Sequence, residues 1–265
     1  MKKILCFFAI AGALLLSCNN KIDVSSGTSY EPVVTEAVDL GLSVKWAPYN
    51  IGATTPEGYG DYYAWGETQP HYSSLDPLTW KEGFSSGYDW KSYQWCNGTE
   101  KTLTKYCPKD KKEYWDGENE NPDNLVTLQS SDDVAHVKLG GKWRMPTVDE
   151  INELLALKTN EDYTWEQGVM ITDANDNEVK DAWDNVVRGI RITRNSTGAT
   201  LFLPAAGYCY GTSFGKSAGS WGFYWSSSLG TGYPNYAYRL RFNSDDSEWY
   251  YNDRYYGLTV RPVSE

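Results

Sequence analysis

The residue types best suited to chemistry are concentrated between Trp221 and Val263, where tyrosine, tryptophan, serine, asparagine and aspartate crowd together. This composition is typical of a recognition surface, in which rigid aromatic rings supply contact area and short polar side chains supply hydrogen bonds. Stacking of a ring against a ligand needs neither a metal ion nor a titrating group. We therefore expect a ligand-binding site formed by Tyr233, Asn235, Asp245, Trp249, Tyr251, Asn252, Asp253 and Arg254.

Catalytic arrangements find less support in the sequence. Asp245, Asp246 and Glu248 could supply the paired carboxylates of glycoside hydrolysis, but adjacent acids in a turn are usually solvated. His71 and His136 have no cysteine or carboxylate at ligand spacing, which disfavours a zinc site or a histidine-based catalytic pair. The sequence therefore predicts a protein that is not an enzyme and that carries no metal and no cofactor.

Calcium is the alternative that this prediction leaves open. The segment 173–178 alternates oxygen-bearing side chains like the start of an EF-hand loop, but Glu178 stands where that loop needs glycine for its sharp turn. We interpret the segment as a solvated turn.

Three cysteines, Cys96, Cys107 and Cys209, remain in the part of the chain predicted to fold. A Cys96–Cys107 bridge would close a short loop and leave Cys209 free and buried between two tyrosines. The alternative is that all three are buried thiols, and the sequence does not decide between them.

The first residues indicate where the protein works. Lys2 and Lys3 precede an apolar run over residues 4–16, which is too short to span a bilayer as a mature helix. Cys18 follows Ser17 directly, and this arrangement looks like a bacterial lipobox. We predict a lipoprotein signal peptide over residues 1–17, lipidation of Cys18, a tether over 18–37, and localisation at the bacterial outer membrane or cell surface, outside the cytoplasm.

The remaining chain is large enough for one domain, predicted over residues 38–265, and it is strongly acidic. The formal charge of −11 becomes −13 when the two lysines of the signal peptide are removed. A chain with this much negative charge repels nucleic acid and anionic lipid. We therefore expect no nucleic-acid partner, and we expect contact with the membrane only through Cys18.

Several elements are needed to position the predicted site. The pattern predicts a first strand within 38–50, a helix that begins after Thr147 with a Thr147–Glu150 capping box and ends near Lys158, and a hairpin of residues 189–193 and 200–203. Residues 68–124 and 165–183 have no sustained period and are predicted as an ordered excursion and a loop. In the closing stretch Tyr238, Leu240 and Phe242 alternate with Ala237, Arg239 and Arg241, which indicates a half-buried strand; Trp221, Trp225, Tyr238 and Phe242 are the predicted core members.

Four segments in order carry a resemblance to a known family: VDLGLSVKWAPYNIGA with GDYYAWGE, GGKWRMPTVDEINELL, YWSSS with AYRLRF, and GLTVRPV. Together they resemble the Fibrobacter succinogenes major paralogous domain, across most of residues 38–263. That family is similar to a wider group with a C-type-lectin-like fold, which includes formylglycine-generating enzymes and the variable proteins of diversity-generating retroelements. The resemblance implies an α+β, C-type-lectin-like fold with short antiparallel strands, paired first and last strands, one main helix and long aromatic-rich loops.

The same resemblance bears on chemistry. Formylglycine-generating relatives hold copper with a late cysteine pair, whereas only Cys209 lies in the last third of this chain. Segments 233–235 and 251–253 resemble the sugar-and-calcium motifs of animal C-type lectins, but Tyr233 stands where those lectins carry a glutamate, and a phenol is a poor calcium ligand.

These observations lead to one functional hypothesis with two alternatives. We expect a lipid-anchored, adhesin-like surface protein that recognises an extracellular glycan or protein through the loops 229–236 and 243–255. The alternatives are a retroelement-diversified variable receptor for protein ligands and a calcium-dependent sugar-binding module.

Overall fold

Short antiparallel strands and one main helix make up most of the regular structure. The computed structural model describes residues 36–75, 77–172, 177–180 and 186–265, and these belong to one compact unit. The predicted signal peptide, Cys18, nearly all of the tether and residues 173–176 lie outside the described residues. Within the described ranges, no helix combines the length and apolar character needed to cross a membrane.

The elements follow one another in short pieces along the chain. The helices are α1 (Val134–Leu139) and α2 (Val148–Ala156), and single 3₁₀ turns lie at Lys112–Tyr114 and Leu157–Thr159. The strands are β1 (Lys45–Trp46), β2 (Tyr72–Leu75), β3 (Leu78–Trp80), β4 (Tyr163–Met170), β5 (Arg188–Arg194), β6 (Thr200–Pro204), β7 (Tyr208–Tyr210), β8 (Ser213–Lys216), β9 (Gly222–Leu229), β10 (Tyr236–Phe242), β11 (Ser247–Asp253) and β12 (Val263–Ser264).

Two three-stranded sheets, β4-β5-β6 and β11-β10-β9, are the largest units of the fold. The other sheets are the pairs β1-β12, β2-β3 and β7-β8, and the paired strands are antiparallel in every sheet. In the β1-β12 pair, Trp46 lies opposite Val263, so the first and last strands of the described chain are neighbours. This is the pairing that the family resemblance implied.

Helix α2 begins where the capping box predicted it. The Thr147 hydroxyl accepts a hydrogen bond from the Glu150 amide at 3.2 Å, and the Glu150 carboxylate accepts one from the Thr147 amide at 2.8 Å. The apolar face of the helix buries Ile151 and Leu154 in the same core cluster as Leu240 of β10. The helix therefore packs against the face of the β9-β10-β11 sheet that carries Leu240.

The predicted hairpin is also confirmed, as strands β5 and β6, whereas other predictions need correction. The expected loop over 165–183 begins as strand β4, whose register shifts between Glu166 and Val169 around Gly168, which has a φ of 67°. The bulge interrupts the period-two pattern that would have revealed the strand. Within the excursion 68–124, strands β2 and β3 form a short hairpin.

The second predicted recognition loop, residues 243–255, is mostly strand. Residues 243–246 form a tight turn, in which the Asn243 side chain accepts hydrogen bonds from the amides of Asp245 and Asp246, both at 2.8 Å, and residues 254–255 lie in a second turn. Strand β11 then pairs with β10 over its full length. Its run of tryptophan and tyrosine suits a strand as well as a binding loop, so composition alone did not separate the two.

The predicted core is confirmed at two of its four positions. Trp225 and Phe242 are fully buried, whereas Trp221 and Tyr238 are half-buried. Strand β10 also buries Arg239 on the face expected to meet solvent. The face of β10 that carries Arg239 is therefore covered by other residues as well.

The three cysteines are free thiols, so the Cys96–Cys107 bridge is not formed. The Cys96 thiol donates to the Trp90 carbonyl at 2.9 Å, and the Cys107 thiol donates to the Lys111 carbonyl at 3.3 Å. Cys209 is buried, as predicted. Burial raises the pKa of the Cys107 thiol to about 12 and that of Cys209 further, which makes both poor nucleophiles at neutral pH.

Candidate functional site

The sheet that carries the predicted site is fixed to the start of the domain by two reciprocal indole hydrogen bonds. Trp65 donates to the carbonyl of Ser226 at 2.8 Å, and Trp225 donates to the carbonyl of Tyr63 at 2.8 Å. The Ser226 hydroxyl in turn donates to the carbonyl of Tyr238 at 2.9 Å. The serine-rich segment after Trp225 therefore has a structural role, and it holds β9 and β10 in place.

Strand β11 is an edge strand of this sheet and carries three consecutive exposed aromatic residues. Trp249, Tyr250 and Tyr251 are 42%, 38% and 41% exposed. Successive side chains of a strand point to opposite faces, so exposure of three in a row means that both faces of the edge are open to solvent. Together with Tyr233, which is 63% exposed, and Tyr236, these residues form what we call the β11 aromatic surface.

The rings of this surface contact one another. Tyr250 and Tyr251 are stacked with ring centres 4.5 Å apart, and Tyr236 lies 5.1 Å from Tyr251 and 6.4 Å from Tyr233. Trp249 packs edge-on against Tyr238 at 5.3 Å. These contacts restrict the rings before any ligand arrives, which lowers the entropy cost of binding.

The structure separates the predicted site residues into different environments. Tyr233, Trp249 and Tyr251 lie on the β11 aromatic surface, and Asp245 is exposed in the turn before β11. Asn252 belongs to the opposite face of the sheet, because it lies across from Ala237. Only part of the predicted set is therefore brought together.

Asn235 and Asp253 form a polar pair beneath the surface. Asn235 is buried, and its side-chain amide donates to the Asp253 carboxylate at 3.2 Å. Burial raises the pKa of Asp253 to about 6; the Asn235 hydrogen bond opposes this shift, and the charge of Glu100 adds to it. Asn235 therefore positions the turn and does not face a ligand.

Arg254 is an interior residue, which corrects its assignment to ligand binding. It is fully buried, and its guanidinium donates to the Tyr93 hydroxyl at 2.8 Å and to the carbonyls of Tyr106, Pro234 and Lys105 at 3.0–3.2 Å. It also lies 5.0 Å from the centre of the Trp65 ring. With these contacts Arg254 holds distant segments together.

A cleft that the sequence did not reveal lies on the face of the β9-β10-β11 sheet that carries Arg239 and Arg241. Its volume is about 330 Å³. We call it the Arg239 cleft, and it is lined by Tyr208, Ser217, Trp221, Phe223, Arg239, Arg241, Asn252, Tyr256 and Leu258. The alternating arginines of β10 were a signal for it, but the pattern did not show that residues from β7 and from the segment after β11 cover this face.

A buried carboxylate–histidine pair was also missed. Nε2 of His71 lies 2.6 Å from the Glu67 carboxylate, and Nδ1 lies 2.9 Å from the Gly87 carbonyl. The His71 ring is stacked on Tyr88 and is fully inaccessible. Because no solvent reaches the ring, we assign this pair to the core.

Among the described residues, no group of three or more histidine, cysteine, aspartate or glutamate side chains is arranged to hold a metal ion. Most of the acidic segment considered for calcium, residues 173–176, lies outside that part of the chain.

Comparison with models of protein families gives a match to part of the chain. Residues 180–263 match the model of a domain of unknown function, DUF8237, which covers about a third of the chain and includes β5 to β11. No curated protein and no solved structure matches the sequence. The matched region contains both the β11 aromatic surface and the Arg239 cleft.

Proposed function

We propose that this protein is a lipid-anchored, extracytoplasmic ligand-binding protein that recognises a glycan through the β11 aromatic surface. The observation that carries the proposal is the exposure of three consecutive aromatic side chains on one edge strand. Exposed rings of this size are costly to leave in water, and sets of them mark interaction sites. Flat rings suit the apolar faces of sugar rings, and this mode of binding needs neither a metal ion nor proton transfer.

The polar residues near the rings support the same function. Asp245 and the rim of the turn around Tyr233 are exposed and can hydrogen-bond sugar hydroxyls. The ring contacts between Tyr236 and Tyr251 and between Tyr238 and Trp249 hold the stacking surface in one arrangement. A prearranged aromatic surface with a polar rim is typical of modules that bind carbohydrates or proteins.

The C-type-lectin-like fold and the membrane anchor belong to this proposal. Pairing of β1 with β12, the packing of α2 against the sheet, and the reciprocal indole hydrogen bonds support the fold. The lipobox-like sequence before Cys18 supports the anchor. Mass spectrometry of the protein from cells should find acyl chains on Cys18, and Cys18→Ser should release the protein from the membrane fraction.

The binding proposal is tested with the full chain in detergent micelles on an array of glycans and a panel of surface proteins. The double variant Trp249→Ala, Tyr251→Ala should lose at least about tenfold in affinity for the glycan that binds, because each ring contributes roughly 1 kcal/mol of contact. Tyr210→Ala removes an exposed ring outside the β11 aromatic surface and serves as the matched control.

Two results would contradict the proposal. In the first, the double variant stays folded and binds the glycan as tightly as the original protein. In the second, the original protein binds a surface protein and no glycan, which would favour the protein-binding adhesin.

A further inference from the structure

Arg239 differs from the other two fully or nearly fully buried arginines of the described chain. Arg254 donates to four acceptors, and Arg261 donates to the Asn50 side chain and to two carbonyls at 2.8–3.1 Å. Arg239 is 5% exposed, and within the described ranges it has one acceptor, the Asn252 side-chain oxygen, 3.1 Å from Nε. Its Nη1 is buried without a hydrogen-bond partner.

The charge of Arg239 is also without a carboxylate partner in the described part of the chain. The neighbouring Arg241 is paired with Glu248, whose oxygen lies 2.7 Å from Nε of Arg241, so that carboxylate is already engaged. Burial, and next the charge of Arg241, lower the pKa of Arg239. A buried guanidinium without a counter-ion is unfavourable, which is notable in a protein with 35 acidic and 24 basic residues.

The walls around this charge are aromatic. The guanidinium carbon lies 4.6 Å from the centre of the Phe223 ring, and Trp221 is stacked against Phe223 at 5.8 Å. Tyr208 packs edge-on against Phe223 at 5.3 Å and tilts against Tyr256 at 5.7 Å. The volume of about 330 Å³ is that of a small ligand site and admits a single ring with its substituents.

We propose that the Arg239 cleft binds the carboxylate group of a ring-sized organic acid, with the terminal nitrogens of Arg239 as donors and the aromatic walls against the ring. A guanidinium presents a planar fork that matches a carboxylate. The local balance of two arginines and one glutamate leaves one positive charge, which a monoanion neutralises. This site lies on the opposite face of the sheet from Trp249 and Tyr251, and of the β11 aromatic surface only Tyr250, which pairs across from Arg239, lies on the same side. The proposal does not depend on the proposed glycan-binding function.

The carboxylate could belong to a sugar acid or to an aromatic acid, and two probe molecules distinguish these sources. Glucuronate carries the group on a sugar ring and benzoate carries it on an aromatic ring; glucose and benzamide are their uncharged counterparts. Titration calorimetry of the full chain in micelles, with tryptophan fluorescence as a second readout, should detect binding of one of the two acids. That acid should bind at least about tenfold more tightly than its uncharged counterpart, because hydrogen bonds to a charged group are the stronger ones. The acid that binds identifies the source.

Asn252→Asp provides the sharpest variant. It places a carboxylate at the position of the Asn252 oxygen that now accepts from Nε, so Arg239 acquires an internal counter-ion. We expect the melting temperature to stay the same or rise, while affinity for the acid falls at least about tenfold. Arg239→Gln should also abolish binding of the acid, because it removes the guanidinium donors. The variant should stay folded, because the substitution removes a buried charge that has no counter-ion.

Arg191→Gln is the matched control, since it removes one positive charge from a partly exposed side chain of β5, which pairs with Glu166 at 3.6 Å. It should bind the acid as the original protein does. The proposal is overturned if neither acid binds below about 10 mM, if the uncharged counterpart binds equally well, or if folded Asn252→Asp and Arg239→Gln keep the original affinity. Trp249→Ala, Tyr251→Ala should leave this binding unchanged.

Discussion

Replacement of Arg254 by glutamine should destabilise the fold severely, because one buried side chain holds three distant parts of the chain. Its guanidinium is shared among the carbonyls of Lys105, Tyr106 and Pro234 and the hydroxyl of Tyr93. Glutamine has two donor hydrogens and a shorter reach, so two or more of these buried acceptors lose their donor.

The magnitude follows from those contacts. Each buried acceptor left without a partner costs about 1–3 kcal/mol, and relief of the buried charge offsets part of the sum. We expect a net loss of about 3–5 kcal/mol in the free energy of unfolding. For a domain of this size, 1 kcal/mol lowers the melting temperature by about 2–4 °C, so the midpoint should fall by roughly 10 °C.

Urea denaturation followed by tryptophan fluorescence, with a thermal scan by circular dichroism, measures this change. Arg191→Gln is the control, and because its ion pair is exposed it should change stability by less than about 1 kcal/mol. If Arg254→Gln stays within about 1 kcal/mol of the original protein, the assignment of Arg254 to the interior framework is wrong. If Arg254 instead contacted a ligand, Arg254→Gln would leave the stability unchanged and abolish ligand binding.

Two further changes test the polar pair beneath the surface and the main helix. Between about pH 4 and pH 6 the folded protein keeps a proton on Asp253 that the unfolded chain releases, since the folded pKa is about 6 against an ordinary 3.8. The free energy of unfolding should therefore fall by about 1 kcal/mol, after solvent screening, as pH rises through this window. Urea titrations at each pH measure this dependence, and Asp253→Asn should remove the part of it that comes from Asp253. The same dependence on pH in both proteins would contradict the shift in pKa. Thr147→Ala removes the cap of α2 and should cost about 1 kcal/mol in the same assay, whereas Thr147→Ser should be nearly neutral; an equal loss in both variants would show that the hydroxyl is not what matters.

Local signals in the sequence predicted the elements that depend on local contacts. The capping box at Thr147 and Glu150 involves residues three apart, and the hairpin of β5 and β6 depends on the turn between them. Both could be predicted because the stabilising groups lie within the same short segment.

The candidate site was harder to predict because its residues depend on distant partners. The sequence around Arg254 has the polar character of a surface turn, and the partners that bury it lie about 150 residues earlier. Alternation in β10 showed which residues share a face with Arg239. It did not show that Tyr208 and Tyr256 cover that face, because neither belongs to the β9-β10-β11 sheet.

The reciprocal indole hydrogen bonds have a consequence for the order in which the chain folds. They join Trp65 to Ser226 and Tyr63 to Trp225, across 161 and 162 residues. Neither bond can form on a nascent chain until the later partner has been synthesised. Tyr63 and Trp65 therefore lack these hydrogen-bond partners during most of translation. Contacts of this length slow folding, because the entropy of closing a long loop is lost before the contact forms. We therefore expect refolding to be slow for the size of the domain. The segment around Tyr63 and Trp65 should pack against β9 in one late step.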